Sequence, residues 1–222
     1  MNSSDSSEKR LEPMADFFTA RIDGYEAHML KNGYIESYRK FAETIPATTK
    51  TMLDLGCGTG LELDWIFPQL PDIAVTGIDL AQAMLDKLKQ KYPSKNLNLI
   101  CGSYFDVDFG QGKYDTVISY CTLHHFSHVL KLGLYRKIIE TLKSGGVYIE
   151  ADYMIEDQSE EDKYFEENAR IRKEQNIPET AFYHFDTPCT VNTQMKLLKQ
   201  AGFSSTTLIS RHEKDAIITC RK

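Results

Sequence analysis

Apolar residues recur along this chain in two rhythms that alternate. "TMLDLG" (51–56), "IAVTGID" (73–79), "LNLIC" (97–101), "YDTVISY" (114–120) and "GVYIEADY" (146–153) are short, near-continuous apolar runs of strand length. Between them the spacing changes to three and four. Leu63, Ile66, Phe67 and Leu70 form one such face. Ala81, Met84, Leu85, Leu88 and Tyr92 form a second, closed by Pro93, and Tyr135, Ile138, Ile139 and Leu142 a third, ending before Gly145-Gly146. Apolar positions at these intervals mark a helix face. Strands without polar alternation, separated by helices, predict a parallel sheet covered on both sides.

Outside this core the pattern is less regular. Residues 14–45 read as helical in two pieces, with the break near "KNGY" (31–34), where Asn32-Gly33 is a turn signal. Residues 155–190 interrupt the alternation with a charged helix, in which Glu166 stands four residues before Arg170, and an aromatic loop "AFYHFDTPCT". This insertion is either a solvated surface helix or a lid over a site. A last helix with Val191, Met195 and Leu198 ends at Gly202, and "TTLIS" and "AIITC" form a terminal antiparallel hairpin. The polar residues 1–13 lack the apolar segment of a secretory signal and read as a frayed, disordered tail.

Composition narrows the function. A length of 222 residues suits a single α/β domain, and a net charge of -6 argues against a strongly basic nucleic-acid footprint. No apolar run approaches the roughly 20 residues that cross a bilayer. Five cysteines (Cys57, Cys101, Cys121, Cys189, Cys220) with no CxxC pair favour free thiols in a reducing, cytoplasmic compartment.

The chemistry concentrates where the first strand meets its helix. Gly56, Gly58 and Gly60 permit a tight turn and let a ligand lie against the backbone. Amide N–H groups at the helix start then face that ligand. Asp79, at the end of the second strand, stands where an acid accepts hydrogen bonds from ribose hydroxyls. The spacing is GxGxG and departs from the GxGxxG of a dinucleotide site. Asp54, two residues before the first glycine, would repel a pyrophosphate and suits a cationic amine.

These segments resemble class I S-adenosylmethionine-dependent methyltransferases. "LDLGCGTG", "VTGIDLAQAML", "YDTVISYCTLHHF" and "LKSGGVYIEADY" match the family's motifs in order, and "LLKQAGF" before two strands completes the pattern over residues 14–222. The resemblance implies a Rossmann-like, seven-stranded, mostly parallel sheet of order 3-2-1-4-5-7-6 with an antiparallel last strand, capped by helices from 14–45. It implies S-adenosylmethionine as cofactor, with Asp54, Gly56, Gly58 and Gly60 at the methionine part and Asp79 at the ribose. Leu80 and Met84 would flank the adenine. Many relatives have Gly-Asp after strand three where this chain has Gly102-Ser103, and Ser103 and Tyr104 are the expected contacts there. Tyr120 and Cys121 would lie beside the sulfonium. "FFTARIDGYE" resembles a cofactor-capping segment, which brings in Tyr25 and Arg21.

The acceptor end rests on fewer residues. His125 follows strand four at the rim and is a candidate general base. His124, His125 and His128 have no acid at metal-binding spacing in sequence, so no metal is expected. In "YHFDTP" (183–188) Phe182 and Phe185 suit core packing, while His184 and Asp186 fall on the alternate side of an extended segment and are candidates to position an acceptor. Tyr34 and Tyr38 either pack or touch substrate. The expected reaction is methyl transfer to a small-molecule acceptor. The alternatives are methylation of tRNA, rRNA or a protein, and binding or processing of a modified cofactor, for which Arg21 would be the nearby cation.

Overall fold

The computed structural model describes residues 10–31, 34–212 and 215–222. Strands β1 (Thr51–Leu55), β2 (Ala74–Asp79), β3 (Leu97–Cys101), β4 (Tyr114–Tyr120) and β5 (Leu142–Ile155) are parallel, in spatial order β3-β2-β1-β4-β5. A two-residue β6 (Cys189–Thr190) pairs with the end of β5. β7 (Ser205–His212) and β8 (Asp215–Arg221) form the terminal hairpin, with β8 inserted antiparallel between β5 and β7. Setting aside the short β6, this is the expected strand order.

Successive strand residues face opposite sides, and both sides are covered. Leu53, Val117 and Tyr148 pack with Tyr135 and Ile138 of α6 (His128–Thr141) and Leu198 of α8 (Val191–Ala201). Their neighbours Met52, Ile118 and Ile149 pack with Phe41 of α3 (Tyr34–Glu43), Ile66 of α4 (Leu63–Ile66) and Leu88 of α5 (Gln82–Lys91).

Four local expectations change. The N-terminal segment forms three helices, because a turn over 21–24 separates α1 (Met14–Ala20) from α2 (Tyr25–Lys31); the expected break at Asn32-Gly33 lies outside the described residues. α4 is a single turn, since Pro68 has no N–H with which to continue it. β5 starts at Leu142, directly after α6, and includes the Gly-Gly pair. The chain is anchored at Leu11, which is buried with Ile171 and Phe185 and whose amide donates to Gln175 Oε1 at 3.0 Å. Residues 1–9 of the expected tail lie outside the described residues.

The insertion supplies α7 (Gln158–Glu174) and a return segment that makes one isolated bridge, Tyr183 to Pro13. Arg170 pairs with Glu167 and Glu174, one turn either side, and not with Glu166. The return segment runs between the cap and the turn after β4. Met14 N donates to Phe182 O, His184 N to Glu12 O, and Thr187 N to His124 O. No helix among the described residues is long and apolar enough to cross a membrane.

Candidate active site

A pocket opens at the carboxyl ends of β1, β2 and β4, where the strand order reverses direction. Open α/β sheets place ligands at such a switch. Gly56 and Gly58 form one wall, both with positive φ (71° and 47°). A side chain at Gly56 would collide with Thr122 at 2.3 Å, whereas above Gly58 the nearest atom is the Tyr25 hydroxyl at 3.9 Å. Space therefore lies directly on the Gly58 backbone. Asp79 organises this wall: Oδ2 accepts from Gly58 N at 2.9 Å and Oδ1 from Ala81 N at 2.8 Å. Leu80 and Met84 add an apolar side, and Tyr104, Tyr120 and Cys121 the far one. Cys121 holds φ at 48°, a strained conformation for a residue with a side chain.

Behind the glycine wall, two acids are buried together. Asp54 and Glu62 are 1% and 6% exposed, and their carboxyls hydrogen-bond to each other. Burial and the charges of Glu62 and Asp79 hold the Asp54 carboxyl far above its ordinary pKa; burial lifts Glu62 to about 7. Among the described residues the pocket lining contains no lysine or arginine. The site is an acidic well that lacks a cation.

The rim has a different chemistry. His125 reaches the lining from a 3-10 turn (Leu123–His125). Its Nδ1 lies 3.3 Å from Asp186 Oδ1, and the same oxygen stands 3.7 Å from His124 Nε2 and 3.9 Å from His184 Nε2. The sequence offers no acid near the histidine pair, but the fold delivers one from 61 positions beyond His125, which removes the premise for expecting no metal here. Behind His124, Asp152 Oδ1 meets Nδ1 at 2.5 Å and accepts from Tyr153 N, while Oδ2 accepts from Leu123 N. Burial and the neighbouring His124 keep His125 below its ordinary pKa, and burial with His125 lowers His184 to about 4, so both are neutral near pH 7. Burial opposes the charge on Asp186, but the hydrogen bond from His125 and the neighbouring His124 imidazole outweigh it and keep the carboxyl ionised.

Residues 52–146 match a family model described as a methyltransferase domain. A malonyl-[acyl-carrier protein] O-methyltransferase of Acetivibrio thermocellus is 33% identical over 96 residues, 43% of this chain and 33% of that protein. A carboxy-S-adenosyl-L-methionine synthase of Helicobacter hepaticus is 28% identical over 173 residues, covering 73% of this chain and 72% of that one. Human N-acetylserotonin methyltransferase, solved with S-adenosylmethionine, superposes on 95% of this chain and 60% of its own at TM-score 0.66 and 18% identity. Residues 52–146 therefore carry the methyltransferase-domain match, and the fold around them is that of S-adenosylmethionine-dependent methyltransferases. The chain spans about a third of the length of the first of these relatives.

The pocket fits the methyltransferase cofactor. A buried acid pair near the methionine end suits an ammonium and a sulfonium, and the bare Gly58 backbone admits close approach. Of the residues expected from sequence, Tyr25, Gly56, Gly58, Asp79, Leu80, Met84, Tyr104, Tyr120 and His125 all line it. Asp54 and Gly60 lie behind the lining; Gly60 faces Leu88 and Leu63. Ser103 Oγ instead accepts from Phe105 N and fixes the turn after β3. Arg21 is turned away: it pairs with Glu12 at 2.8 Å and covers the Phe17 ring. His184 and Asp186 meet His125 at the rim without entering the lining. Tyr38 is stacked on Tyr120 at 4.2 Å and buried, a packing role; the Tyr34 side chain lies outside the described residues. Cys57 packs against Gly77, and burial keeps the Cys121 thiol protonated. Sequence reasoning missed Met14 and Phe18, whose only signal is their place in the capping segment, and Thr122, which closes over Gly56.

Proposed function

We propose that the protein transfers the methyl group of S-adenosylmethionine to a small-molecule acceptor. What supports this reading is one pocket whose two ends differ in kind, with a cation-seeking glycine wall at one and His125 at the other. When bound, the cofactor supplies an electrophilic methyl on a positively charged sulfur. Asp79 would hold the ribose hydroxyls, Leu80 and Met84 the adenine, and Asp54 the amino group. His125, His184 and Asp186 receive the acceptor, position its nucleophile and accept its proton. Alignment of nucleophile and methyl contributes most of the acceleration, about 7–11 kcal/mol in favourable cases. The cap and the return segment of the insertion narrow the entrance, which suits a small acceptor better than a folded RNA. The net charge of -6 points the same way. A carboxylated cofactor is disfavoured because Arg21 is engaged elsewhere and, among the described residues, the lining offers no lysine or arginine in its place. The five free cysteines support a reducing, cytoplasmic setting.

Calorimetry with S-adenosylmethionine tests the cofactor assignment. Asp79→Ala should lose roughly 1.5–3 kcal/mol of binding, as for hydrogen bonds to a charged group. Equal affinity in variant and parent would overturn it. With the parent, release of the demethylated product across a panel of small acceptors tests the transfer itself.

A further inference from the structure

We propose that the rim holds a divalent first-row transition-metal ion, bound by His124 Nε2, His125 Nδ1 and Asp186 Oδ1. These three atoms lie within 4.8 Å of one another, and the carboxylate oxygen is 3.3 Å and 3.7 Å from the two nitrogens. An ion with ligand bonds of about 2.0–2.1 Å spaces its donors roughly 3.0–3.4 Å apart, so the observed edges close on it with small side-chain shifts. Two imidazoles and one carboxylate suit zinc or ferrous iron better than magnesium or calcium, which prefer all-oxygen shells.

The surroundings are those of a metal site. Asp152 grips Nδ1 of His124 and is itself held by two backbone amides, which fixes the ring with Nε2 directed to the ion. Asp186 is 43% exposed and gives the ion a route from solvent. In the metal-free protein the His125 Nδ1 proton is shared between Asp186 and the Phe185 carbonyl at 3.3 Å; the ion displaces that proton. His184 Nε2, 3.9 Å from the same carboxylate oxygen, flanks the remaining coordination positions. Three protein ligands leave positions open, as in catalytic and not in structural sites. Because His125 also lines the pocket, the ligand that completes the shell is an oxygen or nitrogen donor of the acceptor. That last step rests on the methyltransferase reading; the metal site does not.

The test uses untagged full-length protein, stripped with a chelator and titrated with Co2+ and then Zn2+. One equivalent of Co2+ should bind with the visible d–d bands of a low-coordinate ion, and Zn2+ should displace it. Asp186→Asn and His124→Gln should each abolish the bands. Asp152→Asn, acting through His124, should weaken affinity about 10–100-fold while leaving one equivalent bound at saturation. The proposal is overturned if no stoichiometric ion binds to protein that still binds S-adenosylmethionine by calorimetry. It is equally overturned if the bound Co2+ shows thiolate charge transfer, or is lost in Cys189→Ser, since the ion would then sit on His128, Glu161 and Cys189. Stoichiometric metal on protein that fails to bind the cofactor would sustain this inference and refute the methyltransferase reading.

Discussion

Two histidine–carboxylate clusters sit at the two ends of one stretch of chain, and they are built from the same pair of segments. The first joins His124 and His125 to Asp186; the second joins His128 to Glu161 and Cys189. In both, the turn and helix after β4 supply the histidines and the 155–190 insertion supplies the acid. They differ in what else is present. Lys131, 2% exposed, places its ammonium 3.2 Å from Cys189 Sγ and 3.4 Å from Gln194 Oε1. Burial opposes that charge, but Cys189, Asp152 and Glu150 outweigh it and raise the Lys131 pKa. The second cluster therefore contains its own cation. The first has only imidazoles, whose protons can leave: burial holds His125 and His184 below their ordinary pKa, and although burial opposes the charge on His124, Asp152 outweighs it and raises that ring. Resident charge, more than ligand type, separates a structural knot from a site open to an ion.

The largest effect should come from removing that resident charge. Lys131→Met leaves Glu150 and Asp152 short of a buried cation, and loss of one partner from such a network costs about 3–5 kcal/mol. Urea unfolding measures it directly. A variant as stable as the parent would show that the lysine is dispensable and that the contrast between the clusters lies elsewhere.

The next effect divides the clusters by function. His184→Ala should depress turnover about 100-fold, the scale expected when a group that positions a reactant is lost, with cofactor affinity nearly unchanged. His128→Ala, on the cluster without access to the pocket, should leave turnover within about twofold of the parent. If the two variants slow methyl transfer equally, the clusters are not functionally distinct.

How far each cluster could be read in advance follows from how it is assembled. The glycine wall is nearly contiguous: residues 51–63 carry its turn, and Asp79 lies one strand further on, so local periodicity and spacing locate it. Its partner Glu62 is not legible in the sequence, because nothing in "GLELDW" announces burial beside Asp54. The rim is set by tertiary pairing alone. Thr187 N reaching the His124 carbonyl brings Asp186 to the histidines, and that hydrogen bond leaves no trace in the spacing of either segment. Leu11 looks like tail in the sequence because one apolar residue among polar ones has no period, although Ile171 and Phe185 bury it. Arg21 has the right neighbourhood in sequence for the cofactor, but Glu12 and the Phe17 ring satisfy it on the opposite side.

The smallest predicted effect sharpens the rule about resident charge at the other end of the pocket. Asp54 and Glu62 are a buried acid pair with neither histidine nor lysine in contact. Asp79 and Tyr25 also face this region, and Lys91 is committed to Asp64 at 2.6 Å. Burial raises the folded-state pKa of Glu62 from 4.5 to about 7, against the pull of Asp54, its own backbone and Lys91. A carboxyl raised on folding stabilises the protein below its unfolded pKa, and that stability is lost as pH climbs through the folded value. The ligand-free chain should therefore become less stable between about pH 5 and 8 on account of this pair. A cationic ligand prefers the ionised pair, so its affinity should move the opposite way and rise across about pH 7. One linked proton sets a ceiling of about tenfold per pH unit. Calorimetry in buffers of different ionisation enthalpy should register the proton released on binding, and Glu62→Gln should flatten the pH profile. A parent affinity that stays level between about pH 6 and 8 would mean that the acid pair takes no part in receiving the cofactor's positive charge.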